Sequence, residues 1–194
     1  MIIGILGLQG DFSAHKKILE KLGTETLIVR TAEDLEKCDG LIIPGGESTT
    51  MNRLLDRYKL KPAVRKFHKK GKPIFGTCAG MILISKKIES HPKQFSFNFI
   101  DIEVNRNAYG RQIDSFEEDI DIPFLGKKPY RLVFIRAPKI SKLGKGVESL
   151  VKHNGDHIIV RQDNVLAGSF HPEMTADTRM HEYFLKMTKE SLKI

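Results

Sequence analysis

The sequence predicts an α/β fold built on a mostly parallel β-sheet with an antiparallel β-rich insertion. In the first half of the 194 residues, short apolar runs typical of strands alternate with segments typical of helices. The runs are apolar throughout, as expected for strands covered by helices on both faces. In the second half strand patterns follow one another, and a helical pattern returns only at the end. With no linker or repeat, we expect one domain over residues 1–194.

The first half contains four predicted parallel strands and the helices between them. The first strand covers residues 2–8, and the fourth runs directly into a helical pattern over residues 78–84. Apolar residues recur at helical spacing between the strands, as in helices that cover a sheet. The other three strands are predicted over residues 25–30, 40–44 and 73–76.

Capping residues indicate where several of these helices begin and end. Ser13 and Thr31 are predicted N-caps of the first two helices, because a hydroxyl oxygen can accept from the free N–H groups of a first turn. Gly23 ends the first helix. Pro62 near the start and Gly71 past the end delimit a further helix before the fourth strand.

The second half is dominated by strand patterns. In residues 95–104, Phe95, Phe97 and Phe99 share one face, but the apolar pattern changes phase at Ile100. This one-residue change predicts a bulge or a strand that changes sheets. The remaining predicted elements are strands over residues 116–124, 130–138 and 157–172, the last a hairpin about Asp163 and Asn164, and a helix over residues 178–187.

The net charge of +8 raises the question of a nucleic-acid partner. The basic residues form short scattered clusters, such as the one at residues 65–72, without the interleaved aromatic residues that a nucleic-acid surface usually presents. We therefore expect solvated helix faces and no nucleic-acid partner. The alternative from a different functional class is a basic protein that binds nucleic acid and whose candidate catalytic site, described below, is inactive.

The apolar runs and the cysteines bear on location. No run approaches the roughly 18 residues of a membrane span, and the N-terminus lacks the basic region of a signal peptide. A chain of this size does not need a bridge between its two cysteines, Cys38 and Cys78. We expect a cytoplasmic protein with no membrane partner and two free thiols, that of Cys38 packed at a helix end.

Cys78 lies between Gly76 and Gly80 where the fourth strand becomes a helix. Flanking glycines at such a junction are typical of a nucleophile elbow, in which the backbone turns sharply and the helix packs close to the strand. At a helix N-terminus the backbone N–H groups favour a thiolate. Because Gly-X-Cys-X-Gly also arises by chance, a packed core thiol is the alternative.

The motif "SFHPEM" supplies an imidazole and a carboxylate at the end of a strand pattern. His171 and Glu173 are two residues apart, so on an extended segment they point to the same side, with Pro172 fixing the backbone between them. Such a pair can deprotonate a thiol and orient its base. Alone the motif is typical of a surface turn; with the elbow and a parallel sheet it predicts a triad with Cys78.

The segment "PGGESTTM", residues 44–51, follows the third strand. The adjacent glycines Gly45 and Gly46 let successive N–H groups converge on an anion, which predicts an oxyanion hole together with the N–H of Ala79. A plain glycine-rich loop is the alternative. A phosphate-binding loop is disfavoured because the segment lacks the required lysine.

Six further histidines show no spacing typical of metal ligands, so we expect surface or packing roles for them and no metal site. They are His15, His68, His91, His153, His157 and His181.

The three motifs resemble those of the triad (class I) glutamine amidotransferases, both in their residues and in their order along the chain, which is GGES, then GTCAG, then HPE. The segments "LGLQGDF", "PGGESTTM", "RNAYGRQIDSFE", "FIRAP" and "SFHPEMTADTRMHEYF" are similar, more specifically, to the glutaminase subunit of pyridoxal 5′-phosphate synthase. "RNAYGRQ", residues 106–112, discriminates best, because the superfamily at large shares only the elbow and His-Pro-Glu. The resemblance implies the flavodoxin-like three-layer sandwich of class I glutamine amidotransferases.

The resemblance also implies a role for each motif residue. Cys78 attacks the glutamine amide, His171 takes the thiol proton and delivers one to departing ammonia, and Glu173 orients the imidazole. Gly46 and Ala79 form the oxyanion hole. The residues implied to bind L-glutamine are Gly46, Glu47, Ser48, Arg106, Ile135 and Arg136, and Gln9 and Gly10 are candidate switch or interface residues.

An arginine suits this substrate because the α-carboxylate of glutamine needs a planar cationic clamp. Surface solvation is the alternative for both Arg106 and Arg136. The implied reaction is hydrolysis of L-glutamine to L-glutamate and ammonia through a cysteine thioester, without a cofactor.

The implied partner is a (β/α)₈-barrel synthase subunit in a large hetero-oligomer, which uses the ammonia to build pyridoxal 5′-phosphate. Ammonia is a nucleophile only while unprotonated, so its chemistry favours a sealed route between the two sites. Two enzyme alternatives remain. One is the glutaminase of imidazole glycerol phosphate synthase; the other is the group of cysteine hydrolases and chaperones whose histidine directly follows the elbow cysteine, where this chain has Ala79.

Overall fold

The sheet architecture is seen in a computed structural model that describes residues 1–106 and 115–193. One sheet has ten strands, and a second has two antiparallel strands. The strands are β1 (Ile2–Leu6), β2 (Glu25–Val29), β3 (Gly40–Ile43), β4 (Ile74–Thr77), β5 (Ser85–Ile88), β6 (Ile100–Asn105), β7 (Ser115–Ile120), β8 (Tyr130–Ile135), β9 (Lys139–Leu143), β10 (Glu148–His153), β11 (Asp156–Gln162) and β12 (Val165–Gly168).

The large sheet runs in the order β2-β1-β3-β4-β12-β11-β9-β6-β5, and β10 pairs with β11. Its first five strands are all parallel neighbours, so the four parallel strands predicted in the first half are confirmed. The predicted hairpin is also confirmed, because Gln162 pairs with Val165 across a two-residue turn in which Asp163 has a φ of +51°. β12 thereby brings the chain back into the parallel half, beside β4.

Helices cover both faces of this sheet, which gives the expected three layers. On one face α1 and α6 pack with the β7–β8 hairpin around Leu19, Phe134 and Phe184. On the other face α2, α3, α4 and α5 pack around residues such as Leu55 and Val64. The helices are α1 (Phe12–Lys21), α2 (Ala32–Glu36), α3 (Ser48–Arg57), α4 (Lys61–Lys69), α5 (Ala79–Ile84) and α6 (Arg179–Ser191), with 3-10 helices at Pro123–Leu125 and Pro172–Met174.

The predicted N-cap is right for α2 and wrong for α1. The Thr31 hydroxyl accepts from the N–H of Asp34 over 3.1 Å, and the Asp34 side chain accepts in return from the N–H of Thr31. In α1 the helix already begins at Phe12, so Ser13 lies inside the first turn and its hydroxyl instead donates to the Asp11 carboxylate over 3.4 Å.

The helix α3 was not expected, because its first residues are Ser and Thr and resemble a loop. Its first turn is capped by Glu47, whose carboxylate accepts from the N–H groups of Thr49 over 3.0 Å and Thr50 over 2.7 Å. A carboxylate at this position satisfies N–H groups that a helix leaves free. The glycine-rich loop after β3 therefore ends at Glu47, earlier than the predicted segment.

The predicted strand over residues 95–99 is wrong. There the N–H groups of Phe97 and Phe99 donate to the carbonyls of Leu83 and Ile84, and the strand β6 begins only at Ile100. The change of hydrophobic phase at Ile100 marks the start of β6, and the predicted bulge is confirmed there, because Ser85 pairs with Ile100 but Lys87 pairs with Glu103, which leaves one extra residue on β6. The short strand β5, with two lysines at its centre, gave no strand signal and was missed.

Within residues 1–106 and 115–193, no helix combines the length and apolar character needed to cross a membrane.

Candidate active site

Cys78 occupies a sharp turn between β4 and α5. Its backbone has a φ of +47° and a ψ of −105°, a region that L-residues rarely adopt. Strain of this kind is held only where the surrounding structure fixes it, and it is common at functional sites. The Cys78 N–H donates to the carbonyl of Gly168 on β12 over 2.8 Å, which ties the turn to the neighbouring strand.

The two flanking glycines are needed for close packing. A Cβ at Gly80 would lie 1.9 Å from the carbonyl oxygen of Ile43 on β3, and a Cβ at Gly76 would lie 2.8 Å from the backbone of Gly80. Neither glycine has a positive φ. The strained conformation therefore falls on Cys78 itself, while the glycines let α5 approach the strands.

His171 reaches the same edge of the sheet from the next strand. Gly168 at the end of β12 pairs in parallel register with Thr77 at the end of β4, so the segments that follow these two strands leave the sheet at the same edge. The backbone N–H of His171 then donates to the carbonyl of Val133 on β8 over 2.8 Å. A Cβ at Gly45 would come within 2.4 Å of the His171 ring and 3.4 Å of the Cys78 Cβ, so the two side chains share one neighbour.

Glu173 is paired with His171. Nδ1 of His171 lies 2.7 Å from Oε1 of Glu173, and the carboxylate is fully buried. The extended segment predicted for this pair is wrong, because Pro172–Met174 forms a 3-10 helix. The backbone turn nevertheless leaves the two side chains in contact.

The electrostatics of His171 reflect both neighbours. Burial alone would lower its pKa, but interactions with the neighbouring Cys78 and Glu173 raise that pKa to about 10. In the described part of the chain Nε2 of His171 has no partner of good hydrogen-bond geometry. In the absence of substrate, catalytic hydrogen bonds are often long or poorly aligned, and they shorten when substrate binds. The arrangement favours a protonated imidazole beside the Cys78 sulfur.

The glycine loop after β3 packs against the segment that follows β1. Gln9 accepts from the N–H of Glu47 over 2.8 Å through its side-chain carbonyl. Gly10 has a φ of +91°, and a Cβ there would meet the Gly45 carbonyl at 1.8 Å. Gly46, with a φ of +148°, is packed against the Gln9 side chain. The N–H of Glu47 is thus already bonded, which leaves Gly46 as the loop's candidate donor.

Arg106 lies at the mouth of the site. Its guanidinium lies 3.2 Å from the Glu47 carboxylate and 2.5 Å from the side-chain oxygen of Gln94. Burial would raise the pKa of Glu47, but hydrogen bonds from Thr49 and Thr50 lower it to about 2, so Glu47 is ionised. The other predicted arginine, Arg136, is exposed and has a φ of +44°.

These side chains surround one cavity of about 330 Å³, a size suited to a small molecule. The thiol of Cys78 lies 3.9 Å from the carbonyl of Ile135 across it. Glu173 and Gly10 lie outside the lining, behind residues that form it. The predicted residues that line the cavity are Gln9, Gly46, Glu47, Ser48, Cys78, Ala79, Arg106, Ile135, Arg136 and His171.

Four contributors to the site were missed by sequence reasoning. Asp11, Ile82 and Met174 also line the cavity, and His15 lies behind it with Nε2 3.3 Å from Oε2 of Glu173. Asp11 and Met174 lie in the segments "LGLQGDF" and "SFHPEM", but the resemblance implies no role for them. Ile82 on α5 and His15 on α1 are buried, and either could be a packing residue. Of the discriminating segment "RNAYGRQ", residues 107–112 lie outside the described residues.

The fold and the site together define the class of protein. A thiol on a strained strand-to-helix turn, an imidazole next to it and a buried carboxylate behind the imidazole are the groups used for acyl transfer through a cysteine. A mostly parallel α/β sheet carries them at the carboxyl ends of two adjacent strands. This arrangement is typical of α/β hydrolases and transferases that use a cysteine nucleophile.

Comparison with known proteins makes the class specific. The sequence pattern of the SNO glutamine amidotransferase family matches residues 5–190, and the chain belongs to that family. It is 53% identical over 190 residues to the pyridoxal 5′-phosphate synthase subunit PdxT of Fervidobacterium nodosum, covering 98% of each chain. It is 52% identical to the PdxT subunit of Thermosipho africanus, covering 98% of this chain and all of that one.

Solved structures agree with this assignment. A crystal structure of a glutamine amidotransferase superposes with a TM-score of 0.92 at 46% identity, covering 97% of this chain and all of the other. A GMP synthase subunit of Thermoplasma acidophilum superposes with a TM-score of 0.71 at 16% identity, covering all of this chain and 96% of the other, which shows a shared fold. The expected fold class is therefore confirmed.

Proposed function

We propose that the chain is the glutaminase subunit of a pyridoxal 5′-phosphate synthase. As a glutamine amidotransferase it hydrolyses L-glutamine to L-glutamate and ammonia. Relatives about 50% identical over nearly their whole length bear the name of that synthase's subunit. These names do not favour the alternative, the glutaminase of imidazole glycerol phosphate synthase.

The observation that carries the chemistry is the contact of His171 with Glu173 beside the Cys78 thiol. In the proposed reaction the Cys78 thiolate attacks the amide carbon of glutamine, and the carbonyl oxygen becomes an oxyanion. The N–H groups of Gly46 and Ala79 stabilise that oxyanion. His171, protonated at Nε2, gives its proton to the departing ammonia, which leaves a γ-glutamyl thioester on Cys78.

Hydrolysis of the thioester completes the cycle. His171, now neutral, removes a proton from water, and the resulting hydroxide attacks the thioester carbon. The C–S bond breaks, glutamate is released, and the thiolate and the protonated imidazole are regenerated. Glu173 keeps its charge throughout and stabilises the imidazolium through the 2.7 Å contact with Nδ1.

Arg106 is the proposed clamp for the α-carboxylate of glutamine. Its guanidinium lies at the cavity and is bonded to Glu47 and Gln94 through two of its nitrogens. The α-carboxylate of glutamine can be held by the remaining N–H donors of Arg106, or it can replace Glu47 as the partner of that guanidinium. Ser48 and the backbone of Ile135 and Arg136 lie on the same lining and are the proposed neighbours of the substrate.

The ammonia is proposed to pass to a synthase subunit with a (β/α)₈-barrel fold in a large hetero-oligomer, and Gln9 and Gly10 are proposed switch or interface residues. We further propose a single domain over residues 1–194. Both cysteines are free thiols, which supports a reducing, cytoplasmic location.

The test is glutamate release by the purified chain, alone and with the synthase subunit, for wild type and Cys78→Ala. The variant is expected to lose glutamine-dependent formation of pyridoxal 5′-phosphate, while added ammonium salt restores it. Glutamine hydrolysis by Cys78→Ala at the wild-type rate would show that another group is the nucleophile.

A further inference from the structure

Two buried histidines lie beyond Glu173. His15 on α1 and His181 on α6 are both 0% exposed. Nε2 of His15 lies 3.3 Å from Oε2 of Glu173, and Nδ1 of His15 lies 2.9 Å from Nε2 of His181. The Glu173 carboxylate therefore lies between two imidazoles, with Oε1 toward His171 and Oε2 toward His15.

These distances select one tautomer of His15. A neutral imidazole has one N–H and one lone pair. With the proton on Nε2, His15 donates to the Glu173 carboxylate and its Nδ1 accepts from the N–H of His181. The opposite tautomer would turn a lone pair toward Oε2 of Glu173, a buried oxygen that has no well-aligned donor in the described part of the chain and has His15 Nε2 3.3 Å away. The Thr77 hydroxyl, 3.5 Å from Nε2, is too distant to offset that cost.

Burial keeps both rings in the neutral form that this arrangement requires. It lowers the pKa of His15, against the opposing effect of the Glu173 charge. It also lowers the pKa of His181 well below the ordinary value. Nδ1 of His181 is buried without a hydrogen-bond partner among residues 1–106 and 115–193, as expected for the unprotonated end of the chain of hydrogen bonds.

We propose that His15 is a positioning residue of the active site, whose Nε2–H donates to Oε2 of Glu173 and holds that carboxylate ionised and oriented toward His171. His181 contributes by fixing the tautomer of His15. The proposal rests on the proposed glutaminase function and extends its triad by two residues on α1 and α6. A carboxylate held at both oxygens has one orientation, whereas one held at a single oxygen is free to rotate about its terminal torsion.

The other titratable groups near Glu173 do not replace this donor. Tyr130 on β8 keeps its hydroxyl proton because burial raises its pKa, but that hydroxyl has no hydrogen-bond partner in the described part of the chain, and Asp11 is an acceptor near His15. Burial would raise the pKa of Glu173, but the imidazoles of His15 and His171 hold it below its ordinary value. Removal of the His15 donor is therefore expected to raise the pKa of Glu173 and to weaken its hold on His171.

The experiment compares His15→Leu with His15→Gln in the full chain together with its synthase subunit. Leucine fills the volume without a donor, whereas the glutamine side chain can place an N–H near the position of Nε2. We expect His15→Leu to lower kcat about ten- to a hundredfold with KM nearly unchanged, and to move the acidic limb of kcat/KM to higher pH. His15→Gln is expected to recover most of kcat and the wild-type pH profile.

Thr188→Val is the matched control for a disturbed α6 core. Thr188 is fully buried on the same helix as His181, and its hydroxyl donates only to the Phe184 carbonyl, over 3.0 Å. It is expected to lower thermal stability without a change in the pH profile. Equal losses in His15→Leu and His15→Gln with an unchanged pH profile would overturn the proposal and assign His15 to packing.

Nitrogen-15 NMR of the histidine rings tests the same proposal without turnover. A proton on Nε2 of His15, with signals assigned by their loss in His15→Gln, is the expected result, and a proton on Nδ1 would overturn the proposal. If the wild-type chain with its synthase subunit released no glutamate, the proposed function would fail, while the tautomer would still decide the hydrogen bond to Glu173.

Discussion

The backbone N–H of Cys78 donates to the carbonyl of Gly168, which joins the strained turn after β4 to the last residue of β12. His171 follows Gly168 by three residues, so the bond fixes how the imidazole-bearing segment leaves the sheet relative to the thiol. Cys78 and Gly168 are 90 positions apart in sequence, and the parallel pairing of β4 with β12 brings them together. The geometry of the proposed triad thus depends on the sheet and not on a local motif.

The two thiols are expected to differ strongly in reactivity. Burial raises the pKa of Cys38 to about 11, and its thiol donates to the carbonyl of Asp34 over 3.2 Å. Only a thiolate reacts readily with iodoacetamide, so at neutral pH Cys38 is expected to react roughly a hundredfold more slowly than Cys78, which lies beside a protonated imidazole. Mass spectrometry after a timed exposure measures both rates.

Cys78→Ala is the control for this experiment, because only Cys38 remains in it. It is expected to stay unmodified through the period in which the wild-type chain takes up one equivalent. Rapid labelling of Cys78→Ala would mean that Cys38 is exposed in solution and that its burial is wrong.

Gly80→Ala is expected to destabilise the fold, because the new Cβ would lie 1.9 Å from the Ile43 carbonyl oxygen. Relief requires α5 to move away from β3, at a cost of about 3 kcal/mol. Urea denaturation followed by circular dichroism measures the loss. Gly155→Ala is the matched control: its Cβ meets nothing within 4 Å, so only its φ of +88° adds a cost, about 1 kcal/mol. Equal stabilities of the two variants would contradict the close packing of α5.

Arg106→Gln is expected to raise KM for glutamine about ten- to a hundredfold with a smaller change in kcat, because it removes charged hydrogen bonds to the α-carboxylate. Arg106→Lys should lie between, since it keeps the charge but loses the planar fork. Steady-state kinetics with the synthase subunit present provide both constants. Arg131→Gln is the control, because Arg131 pairs with Asp119 on the exposed face of the hairpin. An unchanged KM in Arg106→Gln would remove Arg106 from the substrate site.

The first half of the sheet was predictable because its information is local. Each of the four parallel strands predicted there is a short apolar run, and the elbow at Gly76 to Gly80 is a compact motif between a strand and a helix. The missed elements lack such signals. β5 has two exposed lysines at its centre, and α3 begins with hydroxyl residues whose cap is a glutamate. In each, contacts with the rest of the chain outweigh the local preference.

The candidate site was predictable where a motif carries it and not where only packing does. Cys78 and His171 stand in recognisable motifs, and the structure brings them together with the predicted lining of the cavity. His15 shows no signal, because a histidine in an amphipathic helix reads the same whether it packs in a core or contacts a carboxylate. Its role depends on a contact between residues 158 positions apart, which sequence spacing does not reveal.

The pH dependence of the enzyme is expected to reflect the pKa of His171. Burial lowers that pKa, but interactions with the neighbouring Cys78 and Glu173 raise it to about 10. The active form holds the proton on His171, so kcat/KM should persist into alkaline solution and fall as the pH rises through about 10.

Glu173→Gln removes the negative charge that stabilises the imidazolium, so the pKa of His171 drops and the alkaline limb should move about one to two units lower. Glu118→Gln, which alters a half-buried contact with His153 away from the cavity, should leave the limb in place. The profile of kcat/KM against pH, measured with the synthase subunit present, distinguishes these cases. An alkaline limb at the same pH in wild type and Glu173→Gln would mean that Glu173 does not act on the charge of His171.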